Sequence, residues 1–351
     1  MRRALLTSVV AFSLLFGVSL HGDDFVLERF GDYLEQLRGQ FGIPALAAAV
    51  IDTQGIAWRR AYGKQDLEKS ISTRPDTPFH VDAVTQIFTA TMVLRCVEEG
   101  QLSLDDRVGK FKSDSPDANA TIGQLLSHTS ETSSGLVFNY RPERLEPLWK
   151  IVRDCASGSF RKTLSNLFEQ LAMVDSVPGP DAPTLAPPAE GVPPPQAAAR
   201  YAKVLERLAV PYAVDASGRA SRGQYPATTL TPGGGAISTV EDFAEFDLAL
   251  KRGYVVRPQT LATAWQAPIG AKGRLPHGLG WFVQTYNGAP VIWQFGVGDN
   301  ASSSLVVMLP ARGLTLILLA NSSGLAKGFP LAAGDLTVSP FGKLFLVTFS
   351  R

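Results

Sequence analysis

The chain has 351 residues, 45% of them hydrophobic and 19% charged, with a formal net charge of +1. That length can bury a large core in one big domain or two intimate ones. The near-neutral balance argues against nucleic acid, which demands a basic face. His21, His80, His128 and His277 show no paired ligand spacing and Cys96 and Cys155 lie far apart, so no metal is expected, and no cofactor.

Arg2 and Arg3 precede an apolar run from Ala4 to Leu20, broken at His21-Gly22-Asp23-Asp24. This is the pattern of a secretory signal over residues 1–22, slightly short for a spanning helix. The expectation is a cleaved signal rather than an uncleaved anchor, leaving residues 23–351 in the periplasm or outside the cell. No later stretch reads as a membrane span. Export permits a disulfide, but Cys96, on one predicted helix, and Cys155, near the end of another, read as buried free thiols.

Apolar residues at helical spacing (Phe25, Leu27, Phe30, Leu34, Leu37, Phe41) predict a helix over 25–41, stopped by Gly42-Ile43-Pro44. Residues 45–51 and 56–62 read as strands joined by a turn at Asp52-Thr53-Gln54-Gly55. A helix over 87–97 ends at Gly100, a good residue just past a helix end. Residues 178–195 hold eight prolines in eighteen positions, which excludes helix and central strand and marks a surface insert. A short helix over 196–208 follows it. Residues 279–286, an Asn287-Gly288 turn and residues 289–295 make the strongest hairpin signal in the chain. Strands over 302–309 and 314–320, separated by Pro310-Ala311-Arg312-Gly313, and a helix over 340–349 complete it. The implied fold class is α/β (α+β): one antiparallel sheet built from both chain ends, flanked by helices, with an inserted helical region.

The segment from Phe79 to Asp106, opening Phe79-His-Val-Asp-Ala-Val-Thr-Gln-Ile-Phe-Thr-Ala90, resembles the Ser-x-x-Lys region of the serine β-lactamase and penicillin-binding-protein superfamily. Its nearest branch is the class C β-lactamases and esterase-like serine hydrolases. Gln124-Leu-Leu-Ser-His-Thr-Ser130, Gly233-Gly-Gly-Ala-Ile-Ser-Thr-Val-Glu-Asp-Phe-Ala244 and Leu279-Gly-Trp-Phe282 support the resemblance, which runs from about residue 25 to 328. It implies a β-lactamase/transpeptidase-like fold.

In such a site a serine at a helix start has its oxygen where peptide dipoles favour negative charge. A lysine one turn on reaches the hydroxyl and helps remove its proton. Here the serine position is Ala83 and the lysine position is Gln86. Ala83 offers no nucleophile and Gln86 does not exchange a proton near neutrality. Losing such a nucleophile costs on the order of four to six decades in rate. A literal Ser159-Phe160-Arg161-Lys162 exists, but nothing around it matches the nucleophile helix, and short motifs recur by chance.

The family's Tyr-x-Asn element aligns with Tyr140-Arg141-Pro142, keeping the phenol and losing the amide. Its Lys-Thr-Gly or His-x-Gly strand aligns with Gln294-Phe295-Gly296, where Gly296 permits close backbone approach and the Val297 amide becomes an oxyanion donor. Ser238 with Glu241 reads as a helix capping box and His128 as a hydrogen-bonded loop residue. Trp281 and Trp293 read as core or pocket wall, and the context of His277 decides nothing. The functional expectation is a catalytically degenerate member that binds a peptide-like or cell-wall-like ligand or a partner. Two alternatives stay open: a weak esterase-like hydrolase using Tyr140 or a water with the oxyanion donors, or an interaction protein acting through the 178–195 insert.

Overall fold

The computed structural model describes residues 20–156 and 158–350. Most of the segment 1–22, expected from sequence to be a signal, lies outside them, and the described chain opens with helix α1 (Leu20–Gln40). Strands β1 (Ala45–Ile51), β2 (Ile56–Asp66) and β3 (Ile71–Ser72) follow. Strands β4 (Phe282–Tyr286), β5 (Ala289–Gly298), β6 (Ser302–Leu309) and β7 (Leu314–Ala320) come from the last third. Together they make a seven-stranded sheet, ordered β4-β5-β6-β7-β1-β2-β3, in which every neighbouring pair is antiparallel. The first and last thirds of the chain meet at β1 and β7, where Leu46 faces Ala320.

The composition of β1 shows why the sheet is covered on both sides. All seven of its residues are buried. Leu46, Ala48 and Val50 share a core with Phe30 of α1 and with Phe341 and Phe345 of the terminal helix α7 (Pro340–Phe349). Ala45, Ala47, Ala49 and Ile51 share the other core with the helix α2 (Thr85–Glu98). A period of two along the strand thus feeds two helical layers. Helix α2 is buried nearly all round, and its Phe88 ring meets Phe168, Phe243 and Phe246 at 5.3, 5.3 and 4.7 Å. Those rings lie on α4 (Phe160–Gln170) and α6 (Val240–Lys251), with α3 (Leu148–Cys155) and α5 (Pro195–Glu206) completing the helical region named here. Among the described residues no helix is long and apolar enough to cross a membrane.

Three sequence expectations are corrected. Residues 279–281 are not strand: Gly280 has φ +96° and lies so close to α2 that a Cβ there would sit 2.3 Å from the Ala90 Cβ. The cap of α6 is Thr239, which accepts from the Asp242 amide at 3.0 Å; Ser238 is held in a short strand pair with Phe79, so the helix begins one residue later. The cysteines are not free: Cys96 and Cys155 form a disulfide because the crossing of α2 and α3 brings their Cα atoms to 6.0 Å.

The proline-rich insert is irregular apart from one 3-10 turn (Ala182–Thr184). It is tied to α4 by the buried Arg161 side chain, which grips both Asp181 carboxylate oxygens at 3.0 and 2.9 Å and also donates to the Pro178 carbonyl.

Candidate active site

The chain enters α2 through a single 3-10 turn (Asp82–Val84). Ala83 is half-buried on that turn and Gln86 lies in the first turn of α2, fully buried. The turn is pinned from both sides. Ser304 Oγ donates to the Val81 carbonyl at 2.7 Å and Ser302 Oγ to Asp82 Oδ1 at 3.0 Å. Thr85 Oγ1 donates to the Asp82 carbonyl at 2.7 Å and accepts from the Ala236 amide at 3.2 Å, so the glycine-rich 233–235 stretch is held against α2.

Strand β5 lies across from this turn at van der Waals range. A Cβ on Gly296 would fall 2.6 Å from Ser304 Oγ and 2.8 Å from the Ala83 amide nitrogen, so only glycine lets the two backbones approach. The pairing of β4 with β5 ends at Phe282 opposite Trp293, which leaves Gln294 to Gly298 with a free edge. The Phe295 amide donates to the Gln294 side-chain oxygen at 2.9 Å along that edge. Strand alternation then aims the Val297 amide the same way. Ala83 and Val297 thus bring two backbone amides to the free edge of β5, where Val297 is 39% exposed.

Behind these donors runs a chain of neutral side chains. The Arg141 amide donates to His128 Nδ1 at 3.3 Å, which places the imidazole proton on Nε2. His128 Nε2–H donates to Gln86 Oε1 at 2.7 Å and Gln86 Nε2 donates to the Tyr140 hydroxyl at 2.9 Å. Tyr140 Oη donates to Gln294 Oε1 at 3.1 Å, and Gln294 Nε2 donates to the Gly280 carbonyl at 3.3 Å. Each amide is oriented by its partners, and no Lys or Arg side chain enters the chain of bonds. Burial depresses the His128 pKa well below the usual imidazole range, aided by the charges His277 and Arg144 would place beside it, and burial raises the Tyr140 phenol. His277 is fully buried, its ring 4.8 Å from His128 and 6.0 Å from Tyr140, and burial lowers its pKa to about 3. The network therefore holds no proton that leaves near neutral pH.

The structure brings Ala83, Gln86, Tyr140, Gln294, Phe295, Gly296 and Val297 into one contiguous site. Trp281 and Trp293 are both fully buried, in opposite cores. Ser159 stands apart in role: its hydroxyl caps α4 by accepting from the Lys162 amide at 3.2 Å. The main residue that sequence reasoning missed is Asp82. It is 6% exposed, at φ +47°. Its signal was present as the one carboxylate in the apolar run from Phe79 to Val84, a place where only tertiary partners make burial tolerable.

Burial raises the Asp82 pKa to about 7, with Ser302 and the Gly298 amide opposing the shift, while Oδ2 has no partner. In the unfolded chain the same carboxyl titrates near 4. Ionisation is thus penalised in the fold, and stability falls as pH rises from about 4 to about 7, then levels off. Asp82→Asn keeps an acceptor for Ser302 and tolerates the positive φ. It is expected to raise the melting temperature above pH 7, by up to about 4 kcal/mol of relief, and to leave it unchanged or lower near pH 4. A variant offset that stayed constant across this range in thermal melts would contradict the assignment.

The family model described as Beta-lactamase matches residues 30–162 and 166–336. Among curated relatives, Protein flp of Staphylococcus aureus is 31% identical over 100 residues, 27% of this chain and 20% of that protein. The chain therefore spans only a fifth of that relative. The octameric penicillin-binding protein homologue from Pyrococcus abyssi superposes with a TM-score of 0.72 at 17% identity, covering 91% of this chain and 77% of that one. D-alanine carboxypeptidase AmpC from Burkholderia cenocepacia gives a TM-score of 0.67 at 18% identity, covering 86% and 95%.

Proposed function

Since this chain belongs to the beta-lactamase family, we propose that it is a catalytically degenerate member, exported, that binds a peptide-like or cell-wall-like ligand against the Ala83 turn and the free edge of β5. One observation carries this reading: Gln86, at the position of the base, is wired by hydrogen bonds at 2.7 and 2.9 Å into a network of neutral groups. A vacated lysine site would leave buried donors and acceptors unpaired, at a cost of about 1–3 kcal/mol each. The described partners of Gln86 meet its carbonyl and its amine on the sides that suit them. The two amide donors at Ala83 and Val297 suit a carbonyl oxygen whether or not a bond is broken afterwards.

The test is intact-mass spectrometry of the purified protein after incubation with a penicillin and with a fluorophosphonate. No covalent adduct is expected, because residue 83 has no side-chain oxygen. A stoichiometric adduct, wherever it mapped, would return the chain to the active hydrolases; one at Ser159 would also move the site.

A further inference from the structure

We propose that the site at the Ala83 and Val297 amides selects an uncharged carbonyl compound, such as a peptide whose end is capped as an amide, over the same compound ending in a carboxylate, and that Asp82 sets the choice. This rests on the binding reading above and narrows it to a ligand class.

The inference starts from what surrounds the two free amides. Asp82 precedes Ala83 in the chain, and a Cβ on Gly298, the neighbour of Val297, would lie 2.9 Å from Asp82 Oδ1. The carboxyl is therefore buried against the residue that follows Val297, on the residue that precedes Ala83. Only Ser302 Oγ and the Gly298 amide bond it, and Oδ2 is buried without a partner. No described Lys or Arg side chain touches it. Two residues before it, His80 has neither ring nitrogen bonded, stacks on Tyr225 at 4.0 Å, and is held neutral by burial. Tyr225 spends its hydroxyl on the Ala209 carbonyl. Beyond Val297, Asp299 is exposed and makes no ion pair among the described residues, and Lys327, which reaches this turn from elsewhere in the chain, donates to Asn300 at 3.2 Å.

The side chains behind the two amides are likewise neutral: Gln86 and Gln294 are buried and bonded to His128, Tyr140 and the Gly280 carbonyl, and the cation of Arg141 pairs with Glu143 at 2.8 Å. A carbonyl oxygen needs only the two amide donors. A carboxylate there would lie near the buried Asp82 carboxyl, which no described Lys or Arg side chain offsets, and like charges held close at a buried site cost at least about a factor of ten in affinity.

The experiment titrates ¹⁵N-labelled full chain with N-acetyl-alanyl-alanine methylamide and with the free acid of N-acetyl-alanyl-alanine, following the Ala83 and Val297 amide signals. At pH 8 the methylamide is expected to bind about tenfold or more tightly than the acid. Lowering the pH to 5.5, or substituting Asp82→Asn at pH 8, is expected to tighten the acid severalfold and leave the methylamide unchanged. The pH arm uses the unmodified chain, so it holds if the variant folds poorly. Equal affinity of the two probes at pH 8 overturns the inference and leaves the binding reading standing. So does an acid whose affinity ignores both pH and Asp82→Asn. Failure of both probes to move either amide at millimolar concentration removes the binding reading, and this inference with it.

Discussion

The Ala83→Ser/Gln86→Lys protein is expected to acylate slowly with an activated ester, while Ala83→Ser alone lags it by about two to four decades in rate, the usual worth of a positioned acid–base group. The parts such a step needs beyond those two residues are in place. The serine oxygen would stand on the turn that starts α2, against Gly296, with the backbone amides of residues 83 and 297 ready for the developing oxyanion. The introduced lysine would reach the Tyr140 hydroxyl, which Gln86 already contacts at 2.9 Å. Recovery stays partial for two reasons. Position 142 is proline and carries no side-chain amide, and its carbonyl is packed against Gly233. The lysine would also be buried with no carboxylate among the partners that Gln86 has, so desolvation would lower its pKa. That helps it act as a base but costs stability. Burst release of the leaving group and an intact-mass adduct on the introduced serine of the folded double variant are the readouts. A folded variant with neither means that the cleft has been remodelled beyond its two central positions.

The parts of the fold that sequence revealed are those set by local chemistry. Asn287 and Gly288 sit at φ +49° and +78°, the pair of left-handed residues that a tight hairpin turn requires, and β4 and β5 fall on either side. The strands Ala45–Ile51, Ser302–Leu309 and Leu314–Ala320 are built around apolar runs (Ala45–Ile51, Leu305–Leu309 and Leu316–Ala320) bounded by turn residues, and they stand where expected. What the sequence misplaced or left unsaid depends on long-range contacts. Leu279 to Trp281 has the alternation of a strand, but the approach of Gly280 to α2 bends it. His128 reads as a loop residue, and its sequence does not say that its Nε2 closes on Gln86, 42 positions earlier. Asp82 shows the same limit. A carboxylate beside an apolar run is ordinarily a surface residue, and only the packing of β6 under the turn, through Ser302 and Ser304, makes it a buried one.

Removing both cysteines, as Cys96→Ser/Cys155→Ser, is expected to lower stability by about 4 kcal/mol and the melting temperature by roughly 6 °C. The size follows from loop closure: the bond joins residues 59 positions apart, and tethering a loop of that length restricts the unfolded chain more than the folded one. The folded state needs little adjustment, since Cys96 is buried on α2 and Cys155 ends α3 with its Cα 6.0 Å away. The bond also bears on the site. It fastens the far end of the helix whose first turn carries Gln86 and whose entry turn carries Ala83, so its loss should loosen α2 before it disturbs the sheet. Hydrogen exchange that rises first in residues 85–98 would register this. The pairing also suits the proposed export, because such bonds seldom persist where thiols are kept reduced. The check on the bond itself is alkylation. Unreduced protein under denaturant should take up no iodoacetamide, and reduced protein should take up two equivalents. Two equivalents without reduction, together with a serine variant that melts at the wild-type temperature, would show that the cysteines are free after all.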